Sequence, residues 1–334
     1  MIVLTPSELA ELITGAMEGC GVAPASAASV ARALTQAEVD GHEGHGASRI
    51  PSYSMNVLCG KVDGRATPVA NRVRPGLIHV NASHGFAYPA IDLAIDHLAS
   101  AAKEQGMAAA AISHSHHFGV AGYHAERLAE RGLMALVVSN APKAIAAWGG
   151  KRPMFGTNPI AFAAPRESAP PLVIDMALSR VARGLVMKAA QTDEPIPDDW
   201  ALDADGRPTT NAKAAMAGTM APVGGAKGAA LAMMIDLIGG AFIGAHFGFE
   251  ASSFFDDKDG PPNVGQLLIA FDATALIGGA YFSRIETLIS EVESEDGVRL
   301  PGARRLARRE AAARDGLSIP SRLIDEAKAL AARN

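Results

Sequence analysis

The sequence predicts an α/β protein, with a central α/β domain and a helical portion assembled from both ends of the chain. Helical capping and periodicity dominate the chain up to Gly60 and return from Ile285 onward. Between them, short apolar runs alternate with helical stretches. At the start, Thr5-Pro6-Ser7-Glu8 has the form of a capping box with proline in the first turn, which predicts a helix to about Glu18. A second helix is expected from about Pro24 to Val39, because Val30, Leu34 and Ala37 recur at helical spacing. The His- and Gly-rich stretch Gly41–Gly46 ends it, and a third helix is expected from near Ser48 to just before Gly60.

The pattern changes after Pro68. Leu77–Val80 is a short strand; Ile91, Ile95, Leu98 and Ala102 share one face of a helix that Gly106 caps. Met107–Ile112 is a buried strand, Gly122–Arg131 a helix and Leu133–Val138 another strand, a succession that reads as a βαβ unit. Ile160–Ala163, Leu172–Ile174 and Gln266–Phe271 add strands, and Lys227–Ile243 is a long apolar helix. Ile285–Glu291 and Ser321–Ala332 return the chain to helix. The expected division is residues 1–72 with 285–334 for the helical part and 73–284 for the α/β part.

Hydrophobic residues make up 49% and charged residues 19% of the 334, enough for a sizeable core. Aromatics are only 5%, so alanine runs such as Ala108–Ala111 and 34 glycines must carry the packing of helix on sheet. The net charge of −5 and the lack of a long basic stripe argue against a nucleic-acid partner. Arg304, Arg305, Arg308 and Arg309 form a local basic group, either a solvated helix face or the neighbour of a phosphate. The longest apolar stretch, Ala229–Ile243, contains Asp236 and is too short for a bilayer, so no membrane partner is expected. Cys20 and Cys59 lie outside any CxxC pattern, and no basic segment followed by an apolar run opens the chain; the expectation is a reducing cytoplasm.

The segment Gly41-His42-Glu43-Gly44-His45-Gly46-Ala47-Ser48-Arg49 offers two parts of a reductase. Histidine is the side chain most easily protonated near neutral pH, and an arginine one helical turn later can grip a carboxylate through parallel hydrogen bonds. The alternative is a loop histidine beside a surface arginine. A metal site at His42, Glu43 and His45 is the poorer reading, because the HExxH spacing and a nearby cysteine are both missing. No GxGxxG follows a predicted strand. Instead, His114-Ser115-His116-His117-Phe118-Gly119 forms a polar turn ahead of a helix, where a phosphate can sit. Gly224-Gly225-Ala226-Lys227-Gly228 opens another helix without Walker A spacing.

Taken together, Gly44-His45-Gly46 with Arg49, Ala82 to Ala90, His117-Phe118-Gly119, Trp148-Gly149-Gly150, Phe155-Gly156-Thr157-Asn158-Pro159, Asp175-Met176-Ala177, Gly225–Gly228 and Leu300-Pro301-Gly302 resemble one family over nearly the whole chain. It is the malate/L-lactate dehydrogenase family distinct from the Rossmann lactate dehydrogenases. The resemblance implies a non-Rossmann nicotinamide-binding α/β domain with a mixed sheet, and a homodimer with active sites near the interface. It implies NADPH or NADH as cofactor and a small-molecule carboxylate as substrate. By motif position it makes His45 the proton donor, and Arg49 and Thr157 substrate-binding residues. It gives the cofactor to His117, Phe118, Gly119, Val120 and Ala121, to Asp175, Met176 and Ala177, to Ala226 and Lys227, and to Leu300, Pro301, Gly302, Arg304 and Arg305.

Within the family, Ala182-Arg183-Gly184, Ile196-Pro197 and Trp200 look most like the delta-1-piperideine-2-carboxylate/delta-1-pyrroline-2-carboxylate reductases. Those enzymes carry a serine before the histidine and an aspartate after the Ala-Arg-Gly; here the positions are Gly44 and Leu185. The missing pair removes a hydrogen bond that would hold the imidazole and a charge that would favour its protonated form. Glu43 and His42 are the nearby replacements the sequence offers. Three readings follow: a cyclic imine reductase, a malate/L-lactate-type 2-hydroxy acid dehydrogenase, and a cofactor-binding protein with impaired catalysis.

Overall fold

A seven-stranded mixed sheet runs through the centre of the computed structural model, which describes residues 1–333. Its order is Val69–Arg74, Leu77–Asn81, Met107–Ser115, Val264–Asp272, Leu133–Ser139, Ile160–Ala164, Leu172–Met176. Side chains alternate across it as strand geometry requires. Ala110, Ile112, Leu268, Ala270, Ala135 and Val137 face the helices Ala87–Gln105 and Ala121–Ala129. Ala111, Leu267 and Val138 face the opposite layer, which includes the helices Arg183–Thr192 and Ala226–Asp236. The run of alanines in Met107–Ser115 lets both layers approach closely.

The topology corrects one expectation. Leu77–Asn81 and Met107–Ser115 are adjacent and parallel, joined by the Ala87–Gln105 helix. The predicted unit of Met107–Ile112, helix and Leu133–Val138 is split, because Val264–Asp272 inserts between the two strands and runs antiparallel to both. A strand arriving from so late in the chain leaves no local trace in the sequence between 107 and 138. A second sheet of four short strands, Ala201–Leu202, Thr219–Met220, Ile145–Ala146 and Pro153–Phe155, was also not expected.

The two chain ends meet. Ile2–Leu4 pairs antiparallel with Leu317–Ile319. Leu9, Ile13, Met17, Val30 and Leu34 share one core with Leu323, Ile324 and Ala327 of the last helix, Ser321–Ala331. The capping box forms as expected, Glu8 N–H donating to Thr5 and Thr5 N–H to the Glu8 carboxylate. The expected third helix instead starts at Ile50, because Ala47–Arg49 makes a 3₁₀ turn ahead of Pro51. The helix at Ile285–Glu291 is longer, Ala280–Glu293, and is tied by a two-pronged Arg166–Glu286 pair (2.8 and 2.7 Å) to the segment after Ile160–Ala164.

The long apolar helix is α-helical over Ala226–Asp236 and becomes a π-helix at Leu237–Phe242. Gly239 and Gly240 there lie against Asn140 and Phe247, where a Cβ would come within 2.5 and 2.3 Å. Among the described residues, no helix is long and apolar enough to cross a membrane.

Candidate active site

Two 3₁₀ turns, Glu43–His45 and Ala47–Arg49, carry the histidine and arginine singled out from the sequence. They hinge at Gly46, whose backbone is pressed so closely to Glu38 that a Cβ would lie 2.4 Å from that carboxylate. Glu38 accepts the Ala47 N–H (2.7 Å), fixing the second turn to the Pro24–Val39 helix. Burial pushes the Glu38 carboxyl up to about 7, against the pull of that hydrogen bond. Ser48 Oγ donates to Glu43 O (2.6 Å) and Arg49 Nε to Gly44 O (2.7 Å). The Arg49 guanidinium lies over the Phe255 ring, 4.9 Å from its centroid. It forms no ion pair with the described residues, so its charge is available to a ligand.

Phe255 is brought there from far along the chain. Lys61, itself buried, donates to Ser253 O (2.9 Å) and pairs with Asp256 (3.0 Å), and Asn56 Nδ2 donates to Phe254 O (3.1 Å). Phe254 packs against both His116 and His117.

The His45 ring stacks on His117, centroids 5.5 Å apart and planes inclined by 20°. Burial, then Arg49, then His42 depress the His45 imidazole to about 3, so the resting ring is neutral. His117 is held well below the ordinary histidine value by burial, by Arg49 and by its histidine neighbours. Its Nδ1 lies 2.6 Å from Tyr53 Oη, which lies 2.9 Å from Tyr88 Oη. Among the described residues, neither of the replacements suggested by sequence hydrogen-bonds the ring through its side chain. Glu43 is exposed and accepts from Ser48 through its carbonyl, and His42 is exposed. A Cβ on Gly44 would meet nothing within 4 Å, and Leu185 is half exposed.

The segments expected to hold the cofactor converge on the end of the Leu172–Met176 strand. His117–Val120 leads into the Ala121–Ala129 helix, whose N-cap residue, Val120, supplies no side-chain cap. Gly119 takes a positive φ of 72°, and a Cβ there would strike Tyr88 Oη at 2.7 Å. Phe118 is buried, its carbonyl 2.7 Å from His124 Nε2. Gly122 N–H donates to Asp175 Oδ2 (2.9 Å), so the strand end and the helix start are bonded. Burial raises the Asp175 carboxyl above its ordinary range, opposed by that amide and by His42 and Arg305. Met176 and Ala177 are exposed. Leu300–Gly302 lies alongside, Gly302 (φ 82°) having room for a Cβ only 3.3 Å from Val173 O.

Thr157 sits on the same strand's exit: its carbonyl accepts Leu178 N–H (2.7 Å), and Asn158 braces it by accepting from Ala141 N–H and donating to Ala232 O. Val223 N–H donates to Leu178 O (2.9 Å), which places the Gly224–Gly225 turn and the start of the Ala226–Asp236 helix beside Leu178. Ala226 and Lys227 are exposed at that uncapped start. The uncapped start of the Ala226–Asp236 helix, a start of Ala121–Ala129 whose Gly122 amide alone is taken by Asp175, and a close-packed glycine turn fit a dinucleotide, with free amides for its diphosphate and the Asp175 carboxylate for a hydroxyl.

The arginine group divides. Arg304 is exposed, but Arg305 and Arg309 turn inward. Arg305 pairs with Glu126, and Arg309 grips Asp40 (2.6 and 3.0 Å) and Glu126 (3.0 and 2.6 Å). Burial opposes ionisation of Glu126, yet hydrogen bonds from Arg309 and Arg305 win and hold it below its ordinary range. Neither the solvated face nor a free phosphate ligand describes Arg305, whose Nη1 is already spent on Glu126; its Nε alone is buried without a partner. Tyr53, Tyr88, Glu38 and Phe255 were not anticipated. Of these, Tyr53 left a signal in the spacing, four residues after Arg49 and so on the same helical face, and Tyr88 lies inside the Ala82 to Ala90 motif without having been given a role.

Residues 4–328 match the malate/L-lactate dehydrogenase family. The chain is 49% identical to a (2R)-3-sulfolactate dehydrogenase (NADP(+)) of Chromohalobacter salexigens over 97% of its own length and 96% of the relative's. It is 38% identical to a delta(1)-pyrroline-2-carboxylate/delta(1)-piperideine-2-carboxylate reductase of Pseudomonas aeruginosa, over 99% of both. The crystal structure of delta1-piperideine-2-carboxylate reductase from Pseudomonas syringae superposes with a TM-score of 0.93 at 35% identity, covering 99% of this chain and 100% of that one. With a mixed sheet in place of a Rossmann sheet, and with the histidine turn, the uncapped helix starts and a match of this extent, the chain belongs to the malate/L-lactate dehydrogenase family and is an oxidoreductase.

Proposed function

We propose that this chain reduces a small cyclic imine acid, delta-1-pyrroline-2-carboxylate or delta-1-piperideine-2-carboxylate, to L-proline or L-pipecolate with NADPH. The observation that carries this reading is the pairing of an Arg49 free of any carboxylate with a neutral His45 stacked on His117. When bound, the reduced nicotinamide supplies a hydride. Arg49 holds the substrate carboxylate through parallel hydrogen bonds. That carboxylate offsets the guanidinium charge, which is one of the causes depressing His45, and so raises the proton affinity of His45 as substrate binds. His45 then holds a proton at the substrate nitrogen. A cyclic imine brings its own basic nitrogen, and its protonated form needs only the hydride to become the amine. It therefore demands less of a depressed histidine than a ketone does.

Roles for the other residues follow from the same reading. Thr157 lines the substrate pocket, while His117 to Ala121, Asp175 to Ala177, Ala226, Lys227, Leu300 to Gly302, Arg304 and Arg305 form or support the cofactor groove. Residues 1–72 and 285–334 act as the unit that carries His45 and Arg49, against residues 73–284, which carry the cofactor.

A second reading is favoured by a specific observation. The relative at 49% identity is named for 3-sulfolactate, and this chain lacks both the serine and the aspartate of the imine reductases. A 2-oxo acid bearing a 3-sulfonate is then the substrate, and His45 must deliver the proton to the carbonyl oxygen. The test is NADPH and NADH oxidation, followed by absorbance, with pyrroline-2-carboxylate, piperideine-2-carboxylate, 3-sulfopyruvate, pyruvate and oxaloacetate. Turnover of the imines ahead of the oxo acids supports the first reading, and turnover of 3-sulfopyruvate alone supports the second. Binding of cofactor without turnover of any of them contradicts both.

We also infer a homodimer in the cytoplasm. The Ala226–Phe242 segment exposes Leu231, Met233, Met234, Leu237 and Phe242, an apolar face that a second copy would cover. Light scattering should give twice the 34.5 kDa chain mass; a monomer at micromolar concentration would contradict it. Cys20 and Cys59 are free thiols, in keeping with a reducing compartment; recovery outside the cytosolic fraction would refute that placement.

A further inference from the structure

The positions that hold the histidine in the imine reductases are Gly44 and Leu185 here, and neither has a side chain that can hydrogen-bond the His45 ring. What the structure places beside His45 instead is a closed chain of three polar groups: Tyr88 Oη, Tyr53 Oη and His117 Nδ1, at 2.9 and 2.6 Å. Both phenols are buried, with exposures of 0% for Tyr53 and 2% for Tyr88. Each phenol has one proton to donate.

Three arrangements satisfy the distances; one of them, with Tyr88 and His117 Nδ1–H both donating to Tyr53, leaves the buried Tyr53 proton without an acceptor. In the first of the other two, Tyr88 donates to Tyr53 and Tyr53 donates to His117 Nδ1. In the second, His117 Nδ1–H donates to Tyr53 and Tyr53 donates to Tyr88. The second leaves the Tyr88 proton buried with no acceptor, because its hydroxyl has no hydrogen-bond partner among the described residues other than Tyr53. A buried unsatisfied donor costs about 1–3 kcal/mol, so the first arrangement prevails. His117 Nδ1 is then an acceptor, and the imidazole proton resides on Nε2.

Nε2 lies on the side of the ring away from the phenols. It has no hydrogen-bond partner among the described residues, and the ring is half-buried and stacked on His45. We propose that Tyr88 and Tyr53 lock His117 as its Nε2–H tautomer, and that this N–H donates a hydrogen bond to the reacting nitrogen or oxygen of the substrate beside His45. The assignment of a substrate partner rests on the function proposed above; the tautomer does not. Tyr53 and Tyr88 are positioning residues, and His117 keeps its proton throughout, so the hydride and proton balance of the reduction is unchanged. Burial, and next Arg49, keep His117 neutral, so the donor stays neutral as solution pH varies around 7.

The test begins without substrate. Nitrogen-15 NMR of the cofactor-free protein, with the His117 signals identified by their loss in His117→Gln, should show a protonated Nε2 and an unprotonated Nδ1, constant between pH 6 and 8. A protonated Nδ1 overturns the proposal, whatever the enzyme's substrate. In kinetics, Tyr53→Phe should lower kcat by about tenfold to a hundredfold with KM nearly unchanged, in line with loss of a fixed donor geometry. Tyr88→Phe should cost less, since Tyr53 still donates to His117. A Tyr53→Phe enzyme with wild-type kcat and pH profile overturns the catalytic part. If Tyr53→Phe does not fold, the Tyr88→Phe enzyme and the wild-type spectrum decide. Failure of every substrate in the panel with an Nε2–H spectrum would refute the proposed function and leave the tautomer standing.

Discussion

Four histidines of this chain, His45, His116, His117 and His124, are held neutral by their surroundings, and burial is the first cause in each. His45 and His116 are pushed to about 3 and His124 to about 4, well under the 6.5 expected of an unfolded chain. Between those values and 6.5 the unfolded state binds the extra protons, so stability rises with pH. The contribution is fully present above about 6.5 and is lost as pH falls toward 3. Glu38, raised to about 7, acts in the opposite sense and gains stability as pH falls from 7 toward 4.5. The histidines outnumber it. Urea unfolding at pH 7, 6 and 5 should therefore give a falling free energy, by about 1.4 kcal/mol per pH unit for each net proton. A flat profile over that range would contradict the neutral, buried imidazoles described above.

At the scale of elements, the sequence marked most helices through caps and periodicity, and the histidine turn through its glycines. The same reading missed the split of the Met107–Ser115 and Leu133–Ser139 strands, because the inserted strand, Val264–Asp272, is set by long-range pairing. It also could not foresee that Arg305 and Arg309 turn inward, since their partners Asp40 and Glu126 lie on two separate helices. Breaking such a buried cluster from one side typically costs about 3–5 kcal/mol, so it locks the Ala303–Asp315 helix onto the Ala121–Ala129 helix. The apolar Ala226–Asp236 helix was legible, but its exposed face was not, because hydrophobicity alone does not say which side faces the core. Phe242 is 62% exposed on that face. If the proposed homodimer forms through this face, Phe242→Glu should give a monomer in sedimentation, with the secondary structure retained. A dimer that survives this change and Leu237→Glu would move the interface elsewhere.

At the scale of the whole molecule, the candidate site exists only because distant segments close on one another. The histidine turn comes from the N-terminal helices, Phe254 and Phe255 from the loop before Val264–Asp272, and Asp175 from the far edge of the sheet. Motif order in the sequence named the histidine turn and Asp175 but neither phenylalanine, and the convergence of all of them is a property of the topology. The most direct measurement is NADPH oxidation by the His45→Ala enzyme on whichever substrate the wild type turns over, with cofactor affinity measured on the same sample. A kcat lower by about 10²–10⁴-fold, as expected for loss of an acid–base group, with cofactor affinity nearly unchanged, is the predicted result. Wild-type turnover by His45→Ala, or a loss confined to cofactor binding, would remove His45 from the chemistry.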